Sequence, residues 1–266
     1  MKKRTNYYRL ESIEQVMNEM NDQFSEYEMT VTTSSIRIES GSEKYLFMED
    51  TGNLRPVFYH NQIKKQIGDI HADIEKNAIF YDFSKSRKLP EKCFCVDINS
   101  AYLTVLKNEK LIDQKLFAQI LLQTKKGSRK MDRLKAIGLF ASNKITMKVE
   151  NGEIKNVKTQ ENPQNWVFWL CCQKTTEAMI NVKNELLKDF LFYWVDGIFL
   201  KDNPEKAVEI LKEMGFNSKI EHISELKNHG KYLSYKKDGK KKMLFLPKNN
   251  AGEIRKIKNE NQIIKL

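Results

Sequence analysis

The spacing of hydrophobic positions divides this chain into helix-like and strand-like stretches. A helical period of about 3.6 residues runs through residues 10–27, 61–76, 100–123, 129–143, 165–189 and 203–216. Runs rich in β-branched and aromatic residues occupy residues 28–40, 44–50, 92–98, 145–158, 190–202 and 217–224. Helices and strands are therefore mixed along the chain, without a regular strand–helix alternation.

Two dipeptides predict tight turns between strands. Asn151-Gly152 and Asp196-Gly197 each lie between strand-like runs, where Asn-Gly and Asp-Gly favour two-residue hairpins. Hairpins join antiparallel strands, whereas parallel strands need long crossovers. The pattern therefore predicts an α+β fold with a mostly antiparallel sheet backed by helices.

Composition limits the class of protein. The 266 residues are 40% hydrophobic, enough for one large or two small domains with a real core. The sequence has no apolar run of about 18 residues, as a membrane-spanning helix requires, and its first residues lack the apolar region of a secretory signal. We expect a cytoplasmic protein that does not enter a membrane.

The four cysteines and the net charge are consistent with a cytoplasmic protein and add an expectation about its partner. The cysteines occur as C-x-C and C-C on apolar runs, so we expect reduced core residues; a four-thiolate metal site is the alternative. The net charge of +11 favours a polyanionic partner such as nucleic acid, although a lysine-rich solvated surface would look the same. Basic residues concentrate in 125–135 and 231–242.

Two aspartates interrupt apolar strand-like runs. Asp97 lies in CFCVDI and Asp196 lies in FLFYWVDGIFL. A carboxylate beside a buried strand needs a partner, and two carboxylates on adjacent strands could hold two Mg²⁺ ions for phosphoryl or nucleotidyl transfer. Both residues also have structural interpretations, since Asp-Gly suits a turn and Asp97 could cap the next helix. From the residues alone both interpretations stay open.

Four short stretches around these aspartates follow a set order. They are VDINSAYLTVL with Asp97, KMDRLKAIGLFASN, FYWVDGIFL with Asp196, and GKYLSYKKDG. In this order they resemble motifs A, B and C and the K-x-Y segment of the family B DNA polymerases, in particular the protein-primed members of phages and mobile elements. The resemblance covers roughly residues 90–245, and motif A is its most specific part.

The resemblance implies a role for each matching residue. Asp97 and Asp196 would be the catalytic ligands of two Mg²⁺ ions, which Mn²⁺ could replace, together with the backbone carbonyl of Ile98. Tyr102 would exclude a ribose 2′-hydroxyl. Nucleotide binding would further involve Ser100, Lys130 and Gly138. Contacts to duplex DNA would come from Lys231, Tyr232, Lys236 and Lys237.

The resemblance also implies an architecture. Residues 1–90 would be an accessory region, residues 91–225 a polymerase palm with reduced fingers, and residues 226–266 a small basic thumb-like segment. The residues before motif A are too few for a 3′–5′ exonuclease domain, so we expect no proofreading. Several motif positions differ from the family pattern, namely Leu103, Leu134, Ile137, Trp194, Gly197 and Gly230.

These departures leave three functions open. The first is a DNA-directed DNA polymerase of low processivity that adds deoxynucleoside triphosphates (dNTPs) to a primer on a template, for which a phage or plasmid replication protein would be the partner. The second is a degenerate palm that binds primer–template DNA without catalysis. The third is a two-metal nuclease, in which Tyr102 and the ordered motifs would have no role.

Overall fold

The computed structural model describes residues 5–9, 12–32, 35–48, 55–83, 88–125 and 129–245, which form two compact units. The first unit combines the described residues up to Asp73 with Ala118–Phe168. The second combines Ile74–Phe117 with the described residues from Trp169 onward. Each unit therefore joins separate stretches of the chain. The predicted thumb-like segment, residues 226–266, is described only as far as residue 245.

The first unit contains a six-stranded sheet. Its strands are β1 (Thr5–Arg9), β2 (Glu26–Val31), β3 (Ser35–Ser40), β4 (Glu43–Met48), β7 (Lys144–Glu150) and β8 (Glu153–Gln160). Their order is β1-β4-β3-β2-β7-β8, and only the β1–β4 pair is parallel among the described strand pairs of this sheet. The predicted Asn151-Gly152 hairpin is confirmed, because it joins β7 to β8.

Helix α1 (Ile13–Asn21) covers the core of this sheet. Ser12 and Gln15 form a capping box at its first turn, which satisfies backbone N–H groups that have no partner inside the helix. Val16 and Met20 then join a cluster of buried strand residues that includes Met29 and Ile38. The helix predicted over residues 10–27 is thus shorter than its pattern.

Two predicted helices differ from the structure. Helix α2 (Arg55–Ile67) begins before the predicted range of 61–76 and ends at Gly68, whose φ is +60°. The pattern over 100–123 forms two helices, α3 (Ala101–Asn108) and α4 (Gln114–Gln123). The break has a local cause, since Lys110 is left-handed and the Asp113 carboxylate accepts from the Leu116 N–H at 2.7 Å, as an N-cap does.

Helix α5 (Arg129–Gly138) packs against α2 in the first unit. The His60 ring of α2 lies 4.3 Å from the ring of Phe140, which belongs to a short 3₁₀ turn (Leu139–Ala141). His60 Nδ1 is 3.0 Å from the carbonyl oxygen of Ala136. This contact ties the end of α5 to α2.

The second unit contains a seven-stranded antiparallel sheet. Its strands are β5 (Tyr81–Asp82), β6 (Cys93–Ile98), β9 (Phe190–Trp194), β10 (Gly197–Leu200), β11 (Ser218–Asn228), β12 (Tyr232–Lys237) and β13 (Lys240–Phe245). Their order is β13-β12-β11-β6-β10-β9-β5. Helices α6 (Asn165–Glu185) and α7 (Pro204–Glu213) precede β9 and β11.

Four central strands and two helices of this sheet form a split β-α-β arrangement. Along the chain they run β6, α6, β9, β10, α7 and β11, and in the sheet β11-β6-β10-β9, which is the ferredoxin-like topology. Strand β6 alternates between its faces, with Val96 and Ile98 buried on one and Cys93 and Cys95 in a second cluster on the other. Helix α7 packs against β6 and β11.

The structure confirms the predicted α+β class with mostly antiparallel sheets. None of the helices in the described part of the chain is long and apolar enough to span a membrane.

Candidate active site

Of the two predicted carboxylate residues, Asp97 lies on β6 and Asp196 lies in the turn immediately before the neighbouring strand β10. Asp97 of β6 is paired in register with Gly197 of β10, and the Ile98 N–H donates to the Asp196 carbonyl oxygen at 2.9 Å. Ile98 is therefore directly beside the turn that carries Asp196. The structure brings together three residues that the resemblance assigned to metal binding.

The turn before β10 has an unusual backbone. It consists of Val195 and Asp196, one residue earlier than the predicted Asp196-Gly197 turn, because Gly197 already pairs with Trp194. Val195 has φ +55°, which is costly for a β-branched residue. Its N–H donates to the Phe80 carbonyl oxygen at 2.6 Å. The hydrogen bond holds the residue before Asp196 in a left-handed conformation.

The Asp97 carboxylate is directed across Gly197. Its side chain is 27% exposed, and its Oδ1 would lie 3.7 Å from a Cβ atom at Gly197. Gly197 is buried, and the same Cβ atom would lie 3.4 Å from Cys95 Sγ. A larger residue at position 197, such as the serine of the family pattern, would contact both Asp97 and Cys95.

Two residues that the sequence interpretation missed, Lys219 and Glu221, continue the site. Lys219 of β11 is paired in register with Asp97, and its Nζ lies 3.2 Å from Asp97 Oδ2. The same Nζ is 2.5 Å from Glu221 Oε1, which also forms an ion pair with Lys237 of β12. The sequence signal was weak, since Lys219 and Glu221 only alternate on one strand, and the contact of Lys219 with Asp97 depends on strand register.

Electrostatic effects in this network favour the charged forms. Burial would lower the pKa of Lys219, but hydrogen bonds to Glu221 and Asp97 and their negative charges raise it above the ordinary lysine value. Burial likewise opposes ionisation of Glu221, yet the two lysines lower its pKa. The site is therefore a chain of ion pairs running from Asp97 through Lys219 and Glu221 to Lys237.

Tyr102 lies at the start of α3, after Ser100. Ser100 has φ +59° and its side chain makes no capping hydrogen bond. The Cys172 thiol of α6 donates to the Tyr102 hydroxyl oxygen at 3.5 Å. Burial, and then the nearby Cys172 and Asp196, raise the pKa of Tyr102. Tyr102 is thus a neutral ring held against α6 and within the electrostatic influence of Asp196.

The other predicted site residues lie outside this cluster or have additional partners. Lys130 and Gly138 belong to α5 of the first unit, where Lys130 is exposed. In the second unit, Tyr232 stacks on His229 with ring centroids 4.6 Å apart, and Lys231 and Lys236 are exposed. Lys237, predicted to contact DNA, is instead mostly buried and paired with Glu221. Its DNA contact stays a prediction.

The donor set is suited to a hard cation. Among the residues that the structure describes, no group of three or more His, Cys, Asp or Glu side chains is arranged around a metal position. Two aspartates suffice for Mg²⁺, which is usually held by one or two carboxylates together with substrate phosphates and water. The four cysteines are buried and free, and burial raises the pKa of Cys93 to about 12, so thiolate ligation is disfavoured.

No family model matches this chain, and no curated protein matches it.

Proposed function

We propose that this protein is a DNA-directed DNA polymerase whose catalytic centre is formed by Asp97 and Asp196. The observation that carries the proposal is the juxtaposition of the two residues, through the Asp97–Gly197 register and the 2.9 Å hydrogen bond from Ile98 to Asp196. These are the residues that match the metal-binding aspartates of motifs A and C. Residues about 100 positions apart in the chain thus lie side by side, one on β6 and the other in the turn before the adjacent strand β10.

The topology supports the same proposal. The split β-α-β arrangement gives the sheet one face covered by α7 and another that carries Asp97. A palm needs such a sheet, because its carboxylates must face a nucleic acid while helices cover the opposite side. We propose that β6, β9, β10 and β11 with α6 and α7 form this palm.

The chain's residues would divide the work as follows. Asp97 and Asp196 would hold two Mg²⁺ ions, or Mn²⁺ in their place, with the Ile98 carbonyl as a further ligand. Bound Mg²⁺ would lower the pKa of the primer 3′-hydroxyl and stabilise charge on the triphosphate. Lys219 would neutralise Asp97 Oδ2, and Asp97 Oδ1, the oxygen nearer to Gly197, would serve as the metal ligand.

Tyr102 would select the sugar of the incoming nucleotide. Its ring is held by contact with Cys172, so it has little freedom to move away from an additional hydroxyl. Ser100 would contact the rest of the dNTP, and Lys231, Tyr232 and Lys236 would contact the duplex backbone, which positions DNA without reading its sequence. The nucleotide-binding roles of Lys130 and Gly138, which belong to the first unit, stay predictions. We propose low processivity, in a phage or mobile-element replication context.

Primer extension tests this proposal. A labelled primer on a DNA template is incubated with the full chain, dNTPs and Mg²⁺ or Mn²⁺, beside Asp97→Ala and Asp196→Ala. Asp69→Ala is the matched control, because Asp69 is an exposed aspartate of the first unit. We expect extension by the wild type and by Asp69→Ala and none by the other two. Extension by either active-site variant at the wild-type rate would refute the proposal.

One observation favours the second candidate function, a degenerate palm that binds primer–template DNA without catalysis. Lys219 Nζ lies 3.2 Å from Asp97, where its charge competes with a metal ion. This alternative predicts salt-dependent DNA binding that survives Asp97→Ala and Asp196→Ala, with no incorporation in either metal. Incorporation that both substitutions abolish would rule it out.

A further inference from the structure

A row of side chains crosses the face of the second sheet that carries Asp97. Register pairs link Tyr81 to Trp194, Trp194 to Gly197, Gly197 to Asp97, and Asp97 to Lys219. Residues directly opposite each other in antiparallel strands project to the same face. The row therefore places two aromatic rings on one side of Gly197 and a carboxylate with a lysine on the other.

The two aromatic rings form a stacked pair. The Tyr81 and Trp194 centroids are 5.3 Å apart and the ring planes are inclined by 25°. Trp194 is partly exposed, whereas Trp166 and Trp169 are each only 4% exposed. Trp194 is thus the tryptophan of this chain that offers ring surface to a ligand, and Tyr81 fixes the plane of that ring.

Gly197 lies between the ring and the carboxylate and has no side chain of its own. It is buried, and a Cβ atom there would lie 3.4 Å from Cys95 Sγ and 3.7 Å from both Asp97 Oδ1 and the Trp194 carbonyl oxygen. Two strand spacings separate Trp194 from Asp97, about 10 Å. A base on the partly exposed Trp194 ring would therefore have its sugar hydroxyl on the side of Asp97.

We propose that Trp194, supported by Tyr81, is a stacking site for the 3′-terminal nucleobase of the DNA strand whose 3′-hydroxyl lies at Asp97. This inference rests on the proposed function, since it names how that site would hold the primer end. Aromatic rings bind any base through its π-face, so the site holds the terminus without sequence preference. Lys219, at the other end of the row, supplies positive charge for the strand's phosphates.

The test measures binding of the full chain to a hairpin primer–template DNA without nucleotides. Three DNAs are compared, one intact, one lacking only the 3′-terminal base, and one lacking a base in the unpaired template tail. Base stacking on an aromatic side chain changes affinity by roughly 5- to 150-fold. We expect the terminal abasic site to weaken binding to wild type by a factor in this range and the tail abasic site to have little effect.

The variants Trp194→Ala and Trp194→Phe test whether the terminal base stacks on the Trp194 ring. In Trp194→Ala, intact DNA should bind as weakly as terminally abasic DNA binds to wild type, and the difference between the two DNAs should disappear. Trp194→Phe should keep most of that difference. Intact DNA should also quench wild-type tryptophan fluorescence more than terminally abasic DNA does.

Two results would overturn the inference. One is equal affinity of wild type for intact and terminally abasic DNA, a comparison that requires no variant to fold. The other is a difference between these DNAs that persists unchanged in Trp194→Ala. The binding assay involves no catalysis. Failure of primer extension would therefore refute the polymerase proposal, while the binding assay would still show whether the terminal base stacks on Trp194.

Discussion

The left-handed backbone of Val195 predicts an unusual order of stability among its variants. Alanine at this position keeps the Cβ atom that clashes at φ +55°, whereas glycine removes it. The left-handed conformation costs a residue with a Cβ roughly 1–2 kcal/mol. Glycine in turn loses more conformational entropy on folding, which costs about 0.5–1 kcal/mol relative to alanine. The difference between the midpoints of these ranges leaves Val195→Gly more stable than Val195→Ala by roughly 0.7 kcal/mol.

Comparison of the two variants isolates the backbone contribution. Both lack the valine methyl groups, and both keep the N–H that donates to Phe80, so side-chain packing cancels. Lys236 serves as the matched control, because it is exposed in β12 of the same unit and lies outside the left-handed residues. At that position we expect the ordinary order, with Lys236→Gly less stable than Lys236→Ala by roughly 0.5–1 kcal/mol.

Urea unfolding followed by far-ultraviolet circular dichroism measures both pairs. The free energy of unfolding is obtained from the transition of the second unit, since the two units need not unfold together. A reversed order at position 195 together with the ordinary order at position 236 supports the strained turn. If Val195→Gly is less stable than Val195→Ala, the turn beside Asp196 does not have the conformation described above.

Two further predictions concern single side chains. Lys219→Met should tighten Mn²⁺ binding, measured by calorimetry, by about two- to fivefold, because an exposed ion pair of up to about 1 kcal/mol no longer competes at Asp97; weaker binding would contradict this. Burial lowers the pKa of His60 below its ordinary value of 6.5. As the pH falls, His60 is protonated in the unfolded chain before it is protonated in the folded one. The contribution of neutral His60 to the free energy of unfolding is therefore fully present above pH 6.5 and is lost as the pH drops through the lowered pKa. His60→Gln should remove that fall in acid unfolding titrations, and an unchanged pH dependence would refute the assignment.

The features that the sequence predicted well depend on local information. The apolar run that ends at Asp97 and the hairpin before Gly197 are visible in residue order, because strand formation and tight turns follow from neighbouring side chains. The motif order then suggested that Asp97 and Asp196 act together. The α+β class also follows from these local patterns.

The features that the sequence did not predict depend on register or on single backbone angles. Lys219 contacts Asp97 only because β11 pairs with β6 in one register, and a shift by one residue would turn Lys219 to the other face. The stacking of Tyr81 on Trp194 depends on β5. This strand has only two residues, too few to show an alternation of hydrophobic and polar positions in the sequence. The end of α2 before Gly68 was missed because a favourable apolar spacing continued beyond it.

Single-turnover incorporation of one dNTP tests the central claim most directly. Asp97→Asn and Asp196→Asn keep the size of each side chain and remove the charge that would hold Mg²⁺. Because a metal ion contributes several kcal/mol of transition-state stabilisation, we expect each substitution to slow incorporation by roughly a thousandfold or more. Incorporation by either variant within about tenfold of wild type would contradict the assignment of Asp97 and Asp196 as the catalytic pair.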